Sequence, residues 1–448
     1  MSDTAGAGLV CATAVVDLTP PAGLPMGGYV ARNGAVAEGT LDPLTATIIR
    51  LRSGNETGDG VTWVALDALA VDRELAGSIA VAVAAASGVT PASVVVVASH
   101  THSGPSGWLR GIPFVAPAPG DPEMRSELVG RIEQAARATS AGEVRVWPVL
   151  TVFEVTGVGT NRLDPARAID RTAGALRLVD SDDTVRSIVV DHGSHPTVLG
   201  HDNLRWSADW PGAARRAIAA GLSRNGSNGP VVAFLQGAAG DVSPRFLRRG
   251  QTPGEVRRIG EEFARHVLAS ADTPVGSLGP TSVELRRSSV SLATRAYPAP
   301  DILDQRVADA EHAWQAALAG AGEATPDERI ARTAHEGALT ARALATAGMP
   351  GTLDLPMSLV VVGEDAWLHL PVELFSSLAI EIRAASPFRQ TRVIGYADGY
   401  AGYVVDADAD ADRIGGYETA SSLFDQAGVR ILVDASIDLL RQTHDELR

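Results

Sequence analysis

The chain has 448 residues, 45% of them hydrophobic and 20% charged, with a formal net charge of −15. That mixture supports a sizeable core, and the acidic balance argues against nucleic acid or stable membrane association through charge. Its one cysteine, Cys11, excludes an intrachain disulfide. No basic leader opens the chain and no apolar run reaches the roughly 18 residues of a membrane span, so the expected location is cytoplasmic.

In chain order, residues 9–18 read as a first strand, closed by Thr19-Pro20-Pro21. A Gly-rich loop, Pro25-Met26-Gly27-Gly28-Tyr29, precedes strands at 45–52 and 61–68. An Ala/Val-rich helix over 73–87 leads to the β-branched run Val94–Val97. Strand, helix and strand in that order predict a βαβ unit and a parallel component to the sheet. Residues 104–121, rich in Pro and Gly, form a loop in which Trp108 either walls a pocket or simply packs.

A helix over 123–139 and strands near 143–154, 174–179 and 186–190 follow. Asp209 and Pro211 look like the cap and first turn of a helix running to Leu222. The strand Val231–Leu235, a helix over 254–270 and a strand near 281–292 come next. Residues 301–347 predict a helical hairpin, an insertion over 300–348, broken between Gly320 and Pro326. Strands at 358–363, 366–370 and 392–395, and helices over 374–385 and 430–447, complete the chain. The acidic run Asp406–Asp412 lacks the glycine and terminal Glu of a calcium loop, so it reads as a solvated loop.

Polar clusters sit where strands end. Ser99-His100-Thr101-His102-Ser103-Gly104-Pro105 follows Val94–Val97, and two histidines two apart on extended backbone point to one side. Asp191 to Gly200 holds His192 and His195, Gln236 to Arg245 holds three glycines and Ser243, and Pro371-Val372-Glu373 follows the strand at 366–370. The stretch after 392–395 carries Tyr396, Tyr400 and Tyr403. If these strands share one sheet and one direction, the clusters meet in a single crevice. Two histidines, a carboxylate and a further oxygen ligand suit a catalytic zinc; the same donor types also describe a mononuclear non-haem Fe(II) oxygenase.

The stretch at 99–105 resembles the Thr-His-Thr-His-Ser-Gly-Pro motif of neutral, non-lysosomal ceramidases, with Ser for the first Thr. Gly240-Asp241-Val242-Ser243-Pro244 is similar to their Gly-Asp-Val-Ser-Pro-Asn, with Arg245 in place of Asn. Gly159-Thr160-Asn161-Arg162 is similar to their Ile-Asn-Arg-Ser-Pro, and the likeness extends through Gly28-Tyr29, Asp42-Pro43 and Gly416-Tyr417-Glu418. It spans residues 1–448 as one catalytic domain, with a mixed, partly parallel α/β sheet core, and no counterpart of that family's C-terminal β-domain.

The resemblance implies a zinc amidase. His100, His195, Glu373 and Tyr403 would hold Zn²⁺, His102 would carry a proton, and Arg162, Ser243 and Tyr417 would line the substrate amide. His195 against His192, and Tyr403 against Tyr400, stay open because each pair is close in sequence. The other histidines (His201, His266, His312, His335, His369, His444) are expected to be structural. The implied reaction is hydrolysis of the amide of a small N-acyl compound by metal-activated water. Ser243 positions the amide or, alternatively, acts as nucleophile. A catalytically dead metal-binding module is the remaining alternative, and an oligomer is compatible with the sequence.

Overall fold

The structure is a computed structural model and describes residues 8–54, 58–110, 120–139, 142–223, 229–271, 282–321, 325–412 and 416–448. Half of the Pro/Gly-rich loop expected over 104–121, the short stretch 55–57 between two strands and part of the hairpin break lie outside the described residues.

Two β-sheets stack face to face between outer layers of helix. The larger sheet has eight strands in the order Val231–Gln236, Val185–His192, Thr172–Val179, Val144–Glu154, Leu9–Asp17, Thr45–Ser53, Val61–Leu66 and Val94–Ala98. The pair at each edge is parallel, and the inner pairs are antiparallel. The smaller sheet orders Val283–Ala293, Thr352–Val362, Asp365–His369 and Gln390–Ile394, with its last pair parallel. The fold is mixed α/β with a partly parallel sheet, as the strand–helix alternation predicts.

Side-chain alternation builds these layers. Val94, Val96 and Ala98 face the outer helices Arg73–Ser87 and Pro122–Thr139, while Val95 and Val97 face the second sheet. In the smaller sheet Val360, Val362 and Trp367 meet Trp63 and Leu51, and Leu359, Val361 and Leu368 turn to the helices Ser376–Ala384 and Gln426–Glu446. Strands buried on both faces read as continuous apolar runs, which is why Val94–Val97 stands out in the sequence. Each fully buried side chain of this kind contributes roughly 1.5–3 kcal/mol. Helices Asp209–Leu222 and Pro253–Ser270 cover the remaining outer face, around Trp210, Phe234 and Phe263.

The strands that carry the polar clusters do not share one sheet. Val94–Ala98 and Val231–Gln236 lie at opposite edges of the larger sheet, and Asp365–His369 and Gln390–Ile394 belong to the smaller one. The clusters meet because the segment after Ile394 laces both edges together. Gly395 N donates to Gln236 O at 2.9 Å, Ala98 N to Tyr396 O at 3.1 Å, and Asp398 N to Val96 O at 2.8 Å. The Gln236 side chain closes the gap directly, donating to Ser99 O at 3.1 Å and Ser194 O at 3.0 Å. Tyr396 (φ 56°) and Asp398 (φ 54°) hold left-handed backbone there, a conformation that costs a non-glycine residue on the order of 1 kcal/mol or more.

Three local expectations change. Asp209 is the first residue of its helix rather than its cap; at φ 52° its carboxylate turns back to accept from Leu199 N at 3.0 Å. The acidic run folds as a short helix, Ala407–Asp412. The strand expected at 358–363 begins at Thr352, where its polar first half pairs with Val283–Ala293. The hairpin forms as helices Pro300–Ala321 and Pro326–Ala347, joined by an Arg342–Asp304 ion pair at 2.7 Å, and the second helix packs on the short helix Tyr417–Ser421. Trp108 is buried in a turn against Arg125, so it packs rather than walling a pocket.

Candidate metal centre and active site

His100 follows the edge strand Val94–Ala98 in a left-handed turn, φ 66°, rather than on the extended backbone expected from the sequence. Its Nδ1 lies 2.6 Å from Leu69 O, which fixes the ring with Nε2 facing inward. His195, which follows Val185–His192 near the opposite side of the larger sheet, is fixed the same way. Its backbone N donates to Val242 O at 2.9 Å, and its Nδ1 lies 2.6 Å from Ala239 O. Tethering Nδ1 to a carbonyl orients an imidazole for metal binding at Nε2. His192 is elsewhere: it stacks on Phe263 in the outer core, with Nδ1 3.3 Å from Thr172 O.

Glu373 lies just past the smaller sheet's strand Asp365–His369, on a short ladder of its own. A two-residue parallel ladder pairs it with Tyr403, and Gly240 leaves room for its backbone: a β-carbon there would stand 2.6 Å from Glu373 O. Its Oε2 lies 3.3 Å from His100 Nε2 and 3.1 Å from His195 Nε2. Tyr396 donates to the same oxygen at 3.3 Å, and the Tyr400 hydroxyl donates to Oε1. Burial works to raise the Glu373 pKa, but His100 and His195 overcome it and hold the carboxyl well below its usual range. The two tyrosines therefore steer the carboxylate, and Tyr403 faces a different partner. Its hydroxyl is 3.2 Å from Arg162 Nη1 and 3.5 Å from His195 Nε2. Burial, then the Glu373 charge, keeps that phenol protonated.

Arg162 follows the short strand Thr160–Asn161, and its Nη1 also reaches His195 Nε2 at 3.2 Å. Glu418, at 2.9 Å from Nε, balances its charge. Asp241 locks the neighbourhood by accepting from Asn161 Nδ2, Ser376 N and Ser376 Oγ at 2.7–3.0 Å. Ser243 is buried on the ladder beside Thr160, and its Oγ accepts from Arg245 N at 3.3 Å.

His102 completes the cluster. Its Nε2 is 3.2 Å from His100 Nε2, and ring nitrogens of His100, His102 and His195 all lie within 4.8 Å of one another. Burial, then the two neighbouring imidazoles, lowers its pKa well below the ordinary value, so the ring is neutral. Burial likewise brings His195 down to about 4. Tyr29 packs on His102 at 5.0 Å, and Arg32 donates to the carbonyls of Gly27, His102, Gly200 and Asn203. Unlike its neighbours, His102 has no partner at Nδ1 among the described residues.

The sequence and the known family models have no match, and no curated protein matches it. Solved structures do. A neutral ceramidase from Pseudomonas aeruginosa superposes with a TM-score of 0.73 at 20% identity, over 97% of this chain and 75% of that one. A ceramidase complexed with C2 gives 0.73 and 20%, over 97% and 76%. The chain has a neutral ceramidase-like fold.

Within this ceramidase-like fold, the predicted residues His100, His102, Arg162, His195, Glu373 and Tyr403 meet at one point. Ser243 lies next door, and Tyr417 touches the group through Tyr403, the rings 5.9 Å apart. Tyr403 and Tyr417 also line a cleft of about 390 Å³ whose other walls include Leu344, Leu353, Leu355 and Leu423. Sequence reasoning assigned no role to Tyr396 or Glu418 and held Tyr400 only as the alternative to Tyr403, although all three fall in stretches it singled out. Imidazole nitrogens around a carboxylate, with Nδ1 tethered on two of the rings, are a donor set that fits a divalent metal. Among the described residues, no helix is long and apolar enough to cross a membrane.

Proposed function

We propose that the chain is a metal-dependent amidohydrolase that cleaves a linear N-acyl amide. The observation that carries this reading is the shared approach of His100 Nε2 and His195 Nε2 to one Glu373 oxygen, with both Nδ1 atoms tethered to carbonyls. His100, His195 and Glu373 would hold the ion, with Tyr403 as the fourth donor, and zinc suits this N/O set. When bound, it supplies a polarised carbonyl and a water that is nucleophilic near neutral pH.

This chain's residues account for the rest of the reaction. Arg162 Nη1 and the Tyr403 hydroxyl converge where negative charge develops on the amide oxygen; one well-placed donor is worth roughly 3–4 kcal/mol. His102, neutral and with an unpartnered Nδ1, takes the proton of the attacking water and gives it to the leaving nitrogen. The amide C–N bond breaks, the carbonyl carbon gains the water oxygen, and the amine leaves protonated. Ser243 stays a positioning hydroxyl, since no ring nitrogen stands within bonding reach of its Oγ among the described residues. The cleft beneath Tyr403 and Tyr417 suits an apolar acyl group.

The test is elemental analysis of purified protein beside hydrolysis of N-acyl amides of graded chain length, with and without chelator. Stoichiometric zinc and chelator-sensitive release of amine support the reading. Stoichiometric iron with no amide hydrolysis would overturn it.

A further inference from the structure

Immediately after Ser243 the chain makes one tight turn, with Leu247 N and Arg248 N both donating to Pro244 O at 2.9 Å. Arg245 and Arg248, three apart on that turn, project to the same side. Arg245 Nη1 donates at 3.1 Å to the backbone O of Arg162, the residue whose own guanidinium faces His195. Arg248 donates to Thr197 O, in the loop that carries His195. Neither guanidinium has a carboxylate within ion-pair distance among the described residues. The nearby acids are already engaged: Glu418 with Arg162, and Glu328 and Glu336 with Arg332. Burial, then the neighbouring Arg162 charge, brings the Arg245 pKa down to about 10.

A guanidinium has five N–H donors in a fixed fork that matches a carboxylate. A hydrogen bond to one carbonyl leaves Arg245 most of that capacity, in a place where an unmatched cation is costly. We infer that Arg245, with Arg248 beside it, receives a carboxylate on the amine half of the substrate, so that the amides cleaved are N-acyl amino acids. In such a molecule the carboxylate lies a few bonds from the scissile nitrogen, close enough to reach Arg245 while the carbonyl faces Arg162. The acyl half then occupies the apolar cleft. Against a formal net charge of −15, a local positive pair offsets the long-range repulsion of an anion.

The inference rests on the amidohydrolase reading, and its test separates the two. The zinc-loaded enzyme is assayed with an N-dodecanoyl amino acid, the matching carboxamide, and the matching N-dodecanoyl aminoalkyl phosphate. The expected result is a preference for the carboxylate over the carboxamide of roughly 10–100-fold in kcat/KM, chiefly through KM. R245Q should collapse that ratio toward one and R245K restore part of it. Calorimetric titration with dodecanoyl amino acid should show the same loss of affinity in R245Q. A ratio near one in the unaltered enzyme, a ratio unchanged in R245Q, or a preference for the phosphate would each overturn the assignment. If none of the three compounds is hydrolysed yet the carboxylate binds through Arg245, the amidohydrolase reading fails and the carboxylate site stands.

Discussion

Gly28 lies directly against His102: a β-carbon built on Gly28 would stand 2.7 Å from His102 Cα and 2.9 Å from its Cβ. Its φ of 96° adds a backbone preference that only glycine meets without strain. Gly28→Ala should therefore push His102 out of line while His100, His195 and Glu373 stay in place. Zinc content is expected to stay stoichiometric and kcat to fall by roughly 10²–10⁴, the usual contribution of a positioned acid or base. Loss of zinc in this variant would make His102 a ligand rather than a proton carrier.

Ser243 offers a second check. Its hydroxyl accepts from Arg245 N and sits on the ladder beside Thr160. Ser243→Ala should retain zinc and slow hydrolysis by roughly tenfold, the scale of one lost hydrogen bond. Intact-mass spectra of rapidly quenched wild-type reactions should show no acyl adduct. An adduct on Ser243, with an inactive, zinc-loaded alanine variant, would establish covalent catalysis instead.

Away from the centre, Arg392 of the smaller sheet grips Asp191 of the larger one, with Nη2 and Nε 2.6 and 2.8 Å from Oδ1. Both side chains are buried. Arg392→Leu would leave an uncompensated carboxylate between the sheets, and urea titration should show a loss of about 3–5 kcal/mol. Asp191→Asn in the same chain should recover part of it.

Acid sensitivity has an identifiable contributor in His369. Its Nε2 accepts from Trp63 Nε1 at 3.0 Å across the two sheets, and burial holds its pKa down to about 3. The folded protein thus resists a proton that the unfolded chain takes up near pH 6.5. The contribution is complete above pH 6.5 and is lost as pH falls toward 3, at about 1.4 kcal/mol per pH unit. His369→Gln, which keeps an acceptor for Trp63, should flatten the fall of unfolding free energy by that slope. An unchanged slope would remove His369 from the acid response.

Much of this was legible in the sequence because the site residues cluster at strand ends. Val94–Val97 announces a buried strand and His100 the ligand-type residue that follows it, and both stand where the sequence implies. Choosing His195 over His192 needed three dimensions: they lie three apart, yet the strand ends between them, so one ring enters the outer core and the other the crevice. The tyrosines needed them too. Tyr396 and Tyr400 turn toward Glu373 and Tyr403 toward Arg162, a division set by left-handed backbone that periodicity does not encode. Sheet order was hidden for a similar reason, since the crevice forms between sheet edges joined by a later segment of chain.

That lacing after Ile394 also sets when the candidate site assembles. Strand pairing and helix packing within each sheet can form without Gly395, Tyr396 or Asp398, but the approach of His100, His195 and Glu373 cannot. Long-range closure is the slow part of assembling a β-rich chain, because its entropy is lost before its contacts form. In a refolding time course, tryptophan fluorescence from Trp210, packed on Phe234 and Phe263 under the outer helices, should recover first and the proposed amide hydrolysis afterwards. The interval between them would time the closing of the seam.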